Sequence, residues 1–177
     1  MPELIDIIVA LDEALGIGKD GTIPWKPPRG DMKRFRELTD DAACIMGRAT
    51  WESLPEAFRP LPNRLSIVVT GGGADVTCRL RHDSSVAIVS SWEEATFVGF
   101  AMRDRVVAMG GVRIYEAALA DDRCRTIHCS RVPDEHGCDV YMPTVRSLFG
   151  GGLFEEYDFR LSSYESHDDH RYEVYSR

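Results

Sequence analysis

RVVAMGGVRIYEAALA, residues 105–120, decides the fold class. Arg105 to Met109 is a short apolar run, Gly110-Gly111 breaks it, and Val112 to Ala120 carries apolar residues at helical spacing. A buried strand that enters a helix through a glycine turn is a unit of an α/β sheet. The pattern recurs upstream. Ala42 to Met46 (AACIM) is a second buried strand, ending at Gly47-Arg48-Ala49-Thr50, with Thr50 expected to cap a short helical run, WESL. Ile5 to Leu11 (IDIIVAL) is a nearly continuous apolar run, as expected of a central strand covered on both faces. Leu65 to Thr70 and Val86 to Val89 are further strands, and Ser91-Trp92-Glu93-Glu94-Ala95 opens a helix that reaches about Met102. Arg125 to Val132 alternates like an edge or antiparallel strand. Phe159 to Tyr164 and Tyr172 to Tyr175 form a closing hairpin, with His167 to His170 as its polar turn. The expected architecture is one α/β domain over residues 1–177, with a mostly parallel central sheet, an antiparallel C-terminal edge hairpin and helices on both faces.

At 177 residues the chain is long enough to bury a core without disulfides or metal. Hydrophobic residues make up 44% and charged residues 28%, the composition of a folded globular chain. A formal charge of -8 argues against nucleic acid as a partner, because phosphate binding needs a dense basic face. Acids inside the apolar N-terminal run argue against a signal peptide or membrane span, so a cytoplasmic protein is expected. Five cysteines without a CxxC pair fit reduced thiols. The cluster His128, Cys129, His136 and Cys138 matches no common zinc spacing, and no metal site is expected.

The segment Asp12 to Gly30, rich in glycine and proline, reads as a long irregular loop, and such loops beside a core strand are often functional. Asp31 to Leu38 then forms a short helix whose Phe35 and Leu38 lie near the stripe that carries Asp31. Asp31 has two readings. It is a first-turn acid that complements the helix dipole, or a carboxylate set among apolar neighbours to bind a ligand. Ligands in α/β sheets collect at the carboxyl ends of strands, where the loop before Asp31, GRAT at 47–50 and MGG at 109–111 all gather. The last two open helices, so free backbone N–H groups face anions there, with Arg48 adding a cation and Thr50 a hydroxyl. Singly, each is a tight turn or a solvated charge. Together they suit a pyrophosphate or dinucleotide.

The ordered set GIGKDGTIPW, Asp31 with Phe35, IMGRATWESLPEAFRPLPNR and MGGVRIYEAAL resembles the dihydrofolate reductase family, from the first strand to about Pro143. The resemblance implies NADPH as cofactor and reduction of 7,8-dihydrofolate to tetrahydrofolate, by hydride transfer to pterin C6 with protonation at N5, in service of one-carbon and thymidylate metabolism. It implies that Asp31 forms a fork with the 2-amino group and a ring nitrogen of the pterin, and that a gated water rather than Asp31 protonates N5. Ile8 and Ala10 would border the pterin, Met32 and Phe35 would line its pocket, and Leu54 and Leu61 would flank the tail. Arg64 would take the glutamate carboxylate, and Ser130 would support Asp31 where the family usually has a threonine. Trp25 would hold a water near the acid. Ile23 would tip a mobile loop over the nicotinamide, and Tyr115 would complete the catalytic set. The implied cofactor residues are Ala10, Ile17, Gly47, Arg48, Ala49, Thr50, Val69, Thr70, Met109, Gly110, Gly111, Val112, Arg113, Ile114 and Tyr115, with a cis Gly110–Gly111 peptide. A small-molecule substrate, antifolates as inhibitors and a monomeric chain complete what the resemblance implies.

Several positions depart from the family. Ala49 stands where a second basic residue sometimes helps hold the cofactor 2′-phosphate, and Thr70 runs into three glycines; Arg79, Arg81 or His82 are candidates to supply that charge. Val140 replaces a frequent hydroxyl residue, and Pro55 to Phe58 is an insertion above the folate tail. Two other functions suit the same fold. A ribosylaminouracil reductase would not need the IPW run with its following acid, nor Arg64. A non-catalytic folate- or nucleotide-binding protein would not need Asp31, Trp25 and Tyr115 together.

Overall fold

The computed structural model describes residues 3–71, 85–144 and 152–177. Strand β1 (Ile5–Leu11) lies inside an eight-stranded sheet with β3 (Ala43–Gly47), β4 (Leu65–Val69), β5 (Val86–Val89), β6 (Val106–Ala108), β7 (Cys124–Arg131), β9 (Arg160–Ser166) and β10 (Arg171–Ser176). The order is β5-β4-β3-β6-β1-β7-β10-β9. Every pairing from β5 through β7 is parallel, and β10 runs antiparallel to both β7 and β9. The expected mixed sheet with a closing hairpin is therefore present. One strand differs in part: β7 runs antiparallel to β10, as one of its two readings has it, but it is an interior strand parallel to β1 and not an edge. Its alternation arises because one of its faces meets the core while the other lines a cavity.

Helices cover both faces. On one, α3 (Trp92–Met102) and α4 (Val112–Ala120) pack Ala95, Ile114, Ala118 and Leu119 against Ala43 and Ile45 of β3. On the other, α1 (Asp31–Thr39) and α2 (Arg48–Ser53) bring Phe35 and Trp51 against Cys44 and Met46. Ser91 caps α3, its hydroxyl accepting from the Glu94 amide at 3.2 Å. Thr50 caps nothing: α2 begins two residues earlier, with Gly47 as its N-cap and no side-chain cap bond. The β1 pattern also departs from a strand covered twice. Ile5, Ile7, Val9 and Leu11 are buried, each worth roughly 1.5–3 kcal/mol, while Asp6, Ile8 and Ala10 on the opposite face are only half-buried. Ile8 and Ala10 on that face form the floor of a cavity bordered by α1 and α2.

The 12–30 segment is not wholly irregular. Gly16–Gly18 forms β2, paired antiparallel with β8 (Val140–Tyr141), so Val140 is part of a small ladder that holds the loop. Asp139 reinforces it by accepting from the Asp20 amide at 3.0 Å. The stretch after Leu54 contains a short 3-10 turn, Glu56–Phe58, before a cis Arg59–Pro60 bond. Cys44, Cys124, Cys129 and Cys138 are free and buried; Cys78 lies outside the described residues. Among the described residues no helix is long and apolar enough to cross a membrane.

Candidate active site

A mostly apolar cavity of about 230 Å3 opens between β1, β7, α1 and α2. Its side chains arrive by simple periodicities. Ile8 and Ala10 share the outward face of β1, His128 and Ser130 share one face of β7, and Asp31, Phe35 and Leu38 recur along α1. Met32, Leu54 and Ile23 complete the rim. Asp31 is the first residue of α1, but its side chain turns away from the helix. Gly30, with φ 86, is the N-cap, and no side chain caps the helix. The Ser130 hydroxyl instead donates to Asp31 Oδ1 across the cavity. The Arg29 amide donates to Asp169 in the β9–β10 turn at 2.7 Å, which pins the approach to α1. Asp31 is half-buried, with the remainder of its carboxylate open to a ligand.

The same wall carries a pair not anticipated from sequence. His128 Nδ1 lies 2.6 Å from the Tyr172 hydroxyl, and the guanidinium of Arg34 sits 3.7 Å above the Tyr172 ring while pairing with Glu165. Burial pushes the His128 imidazole below its ordinary range, opposed by Asp6 and aided by Arg105 and Arg34, which favours its neutral form. Period two along β7 places His128 beside Ser130 and could have shown this residue. Tyr172 faces Ser130 only through the β10–β7 register, which no local pattern reports.

A second cavity, about 200 Å3, adjoins the first and shares Ala10, Ile23, Thr50, Ser53, Met109 and Tyr115 with it. Ile17, Ala49, Gly110 and Gly111 line its far side, together with Lys19 and Val140, which the sequence reading did not assign to it. The Gly110–Gly111 peptide is cis. The turns after β3 and β6 are joined, the Gly47 amide donating to Gly110 O at 2.8 Å, so the starts of α2 and α4 lie side by side. Neither start has a side-chain cap, which leaves backbone N–H groups and two positive dipole ends for an anion. Tyr115 is buried beneath, its hydroxyl 3.0 Å from Ile8 O and 3.1 Å from Met109 O. Burial raises its pKa, so it stays a donor. A Cβ on Gly110, at φ 107, would come within 3.0 Å of that hydroxyl, so the cradle admits only glycine.

Some expected site residues lie elsewhere. Leu61 is buried in the core with Trp51 and Val68, and Ile114 faces the α4 side of the core; neither lines either of these two cavities. Trp25 is buried against Val132 and Cys138, with its ring edge-on to His136 at 5.2 Å, and also lines neither cavity. Arg48 is exposed and pairs with Glu52 at 3.2 Å. Val69 ends β4 and Thr70 follows it, both outside the two cavities, the Thr70 amide donating to Val89 O at 2.9 Å. Val112 and Arg113 open α4 without lining the cavity, Arg113 exposed. Arg64 is buried beside Phe35, its guanidinium 5.9 Å from the ring centroid, and its Nε has no hydrogen-bond partner among the described residues. Arg79, Arg81 and His82 lie outside the described residues.

The sequence model of the dihydrofolate reductase family matches residues 4–175. The chain belongs to that family. It is 36% identical over 154 residues to the dihydrofolate reductase of Schistosoma mansoni, covering 80% of this chain and 78% of that one. It is 34% identical over 148 residues to the bifunctional dihydrofolate reductase-thymidylate synthase of Daucus carota, covering 78% of this chain. The chain spans 26–28% of the length of bifunctional relatives of that kind. The dihydrofolate reductase of Enterococcus faecalis, solved with NADP(H) and RAB-propyl, superposes with a TM-score of 0.78 at 25% identity, over 100% of this chain and 98% of that one. In this family member the half-buried acid, its hydroxyl support and the glycine cradle therefore sit within a fold that the relatives share.

Proposed function

We propose that the chain reduces 7,8-dihydrofolate to 5,6,7,8-tetrahydrofolate with NADPH, acting as a cytoplasmic monomer open to antifolate inhibitors. The observation that carries this reading is the junction of the two cavities: one holds a carboxylate and apolar walls, the other a glycine cradle, and six residues border both. A flat heterocycle in the first and a nucleotide in the second would meet across Ala10, Ile23 and Tyr115.

The side chains divide the work. Asp31, oriented by Ser130, offers an open oxygen and the remainder of its charge to two adjacent ring N–H donors. Phe35, Leu38, Leu54 and Ile8 exclude water and favour charge developing on the ring beside the carboxylate. Arg64 supplies a buried cation, its Nε without a partner among the described residues, for the carboxylate tail. The cofactor cradle fits its ligand because the uncapped starts of α2 and α4 meet at Gly47 and Gly110, and a Cβ on Gly110 would crowd the Tyr115 hydroxyl. Backbone at Gly110 and Gly111 with Thr50 would hold the pyrophosphate, and Ile17 and Ala49 would flank it. Arg48 can turn to a phosphate because its pair with Glu52 is a surface contact worth under about 1 kcal/mol. When bound, reduced nicotinamide supplies the hydride.

The test is loss of reduced-nicotinamide absorbance on adding dihydrofolate, with Asp31→Asn beside the parent. The amide turns one acceptor into a donor facing ring N–H groups and removes the charge. Losing a charge-assisted contact of about 3 kcal/mol lowers kcat/KM about 100-fold, with circular dichroism unchanged. Tight folate binding without turnover by the parent would replace the enzyme with a binding protein.

A further inference from the structure

Asp12, directly after β1, is fully buried and lines neither cavity. Its Oδ1 accepts from the amides of Ala14 at 2.9 Å and Gly16 at 2.7 Å, both in the loop that leads to β2. Its Oδ2 accepts from the amide of His136 at 2.9 Å and the thiol of Cys138 at 3.5 Å, both in the segment that leads to β8. One carboxylate thus joins two loops that lie more than a hundred residues apart in sequence. A buried carboxylate is costly unless its lone pairs are filled. Burial acts to raise the Asp12 pKa, yet the donors from His136, Gly16, Cys138 and Ala14 together hold it below the ordinary carboxylate range. Packing makes the same joint independently. A Cβ on Gly16 would overlap Cβ and Sγ of Cys138 and reach 3.0 Å from Asp12 Oδ1, so the two loops touch at a residue that can only be glycine.

The chain leaves this joint as β2, whose pairing with β8 extends it, and then supplies Ile17, Gly18, Lys19, Thr22 and Ile23 to the cofactor-side cavity. We propose that Asp12 is a positioning residue for the cofactor: it anchors the root of the Gly16–Ile23 wall against residues 136–138, and Gly16 and Cys138 provide the close packing the anchor needs. The ligand is taken from the function proposed above, while the anchor itself stands on the contacts just described.

Three variants test it, read by amide hydrogen exchange without ligand and by equilibrium titration with NADPH and, separately, folate. Asp12→Asn turns one oxygen into a donor facing other donors. Gly16→Ala keeps the charge and forces the loops apart. Cys138→Ala removes one donor without crowding and serves if either of the others fails to fold. In the first two, exchange over residues 13–23 and 136–141 rises about tenfold, as expected for losing a hydrogen bond to a charged group, and the NADPH Kd rises at least about fivefold. The folate Kd stays within about twofold. Cys138→Ala moves exchange and NADPH affinity in the same direction by about two- to threefold. Unchanged exchange would overturn the anchor. Faster exchange with unchanged NADPH affinity would overturn its positioning role, and equal losses for NADPH and folate would reduce it to general stability. A parent that binds no NADPH would overturn the cofactor reading, and the positioning role with it, while exchange would still decide whether the anchor exists.

Discussion

Ser130→Ala isolates the hydroxyl that supports the acid. Ser130 is buried on β7 with its backbone paired to Ala10 on one side and Tyr172 on the other, so removal of Oγ leaves the strand in place. What is lost is one hydrogen bond to a carboxylate, worth about 1.5–3 kcal/mol when both partners are dry. Asp31 is only half-buried, so water recovers part of that, and about 1–2 kcal/mol remains. At 1.4 kcal/mol per tenfold, kcat/KM for dihydrofolate falls about 5- to 30-fold. The hydroxyl does not reach the glycine cradle, so the KM for NADPH stays within about twofold. Steady-state kinetics with each substrate varied in turn measures both effects. A loss below about twofold would show that Asp31 is oriented by the α1 backbone alone; an equal loss for NADPH would show that the strand moved.

Three further outcomes follow from the geometry. Arg64→Ala should weaken folate about 10- to 100-fold and a pterin without the glutamate less than about twofold, measured as Kd values, because it removes the buried guanidinium proposed for the glutamate carboxylate; equal losses would place Arg64 outside the site. Tyr115→Phe removes the hydroxyl shared by the Ile8 and Met109 carbonyls, a cost of about 1–2 kcal/mol that lowers Tm by about 2–8 °C, and an unchanged Tm would mean that the hydroxyl is not tying β1 to the end of β6. Asp121 is held to about 2 mainly by hydrogen bonds from Arg123, despite burial that acts to raise it. Its folded pKa lies below its unfolded one, so the stabilisation is present above the usual value of 3.8 and disappears as pH falls toward 2. With Arg123 one-third exposed and screened, it amounts to about 1–2 kcal/mol. Urea midpoints of the parent and Asp121→Asn should therefore differ at neutral pH and converge in acid, whereas parallel curves would assign the acid sensitivity to other groups.

The alternation of strands and helices and the three strand-end turns were determined by the sequence alone, because burial and glycine punctuation leave local periodic marks. Asp31, Phe35 and the Gly110–Gly111 turn could be named for the same reason, whereas Ser130 could be named only through the resemblance to a known family. The direction in which each side chain is spent was decided only by the tertiary structure. Asp31 occupies a first helical turn, as its local pattern allowed, and only the arrival of Ser130 from β7 turns it into the cavity. Thr50 looked like a cap because its neighbours are helical, but the helix starts at Arg48 and leaves the hydroxyl for the cavity wall. Leu61 and Ile114 are apolar, so pattern cannot tell a pocket wall from a core; packing sends both to the core. His128 with Tyr172, and Asp12 with Cys138, join residues far apart in sequence through strand register and loop contact. A side chain's partner across that distance is set by how the sheet closes, and no local pattern along the chain carries that information.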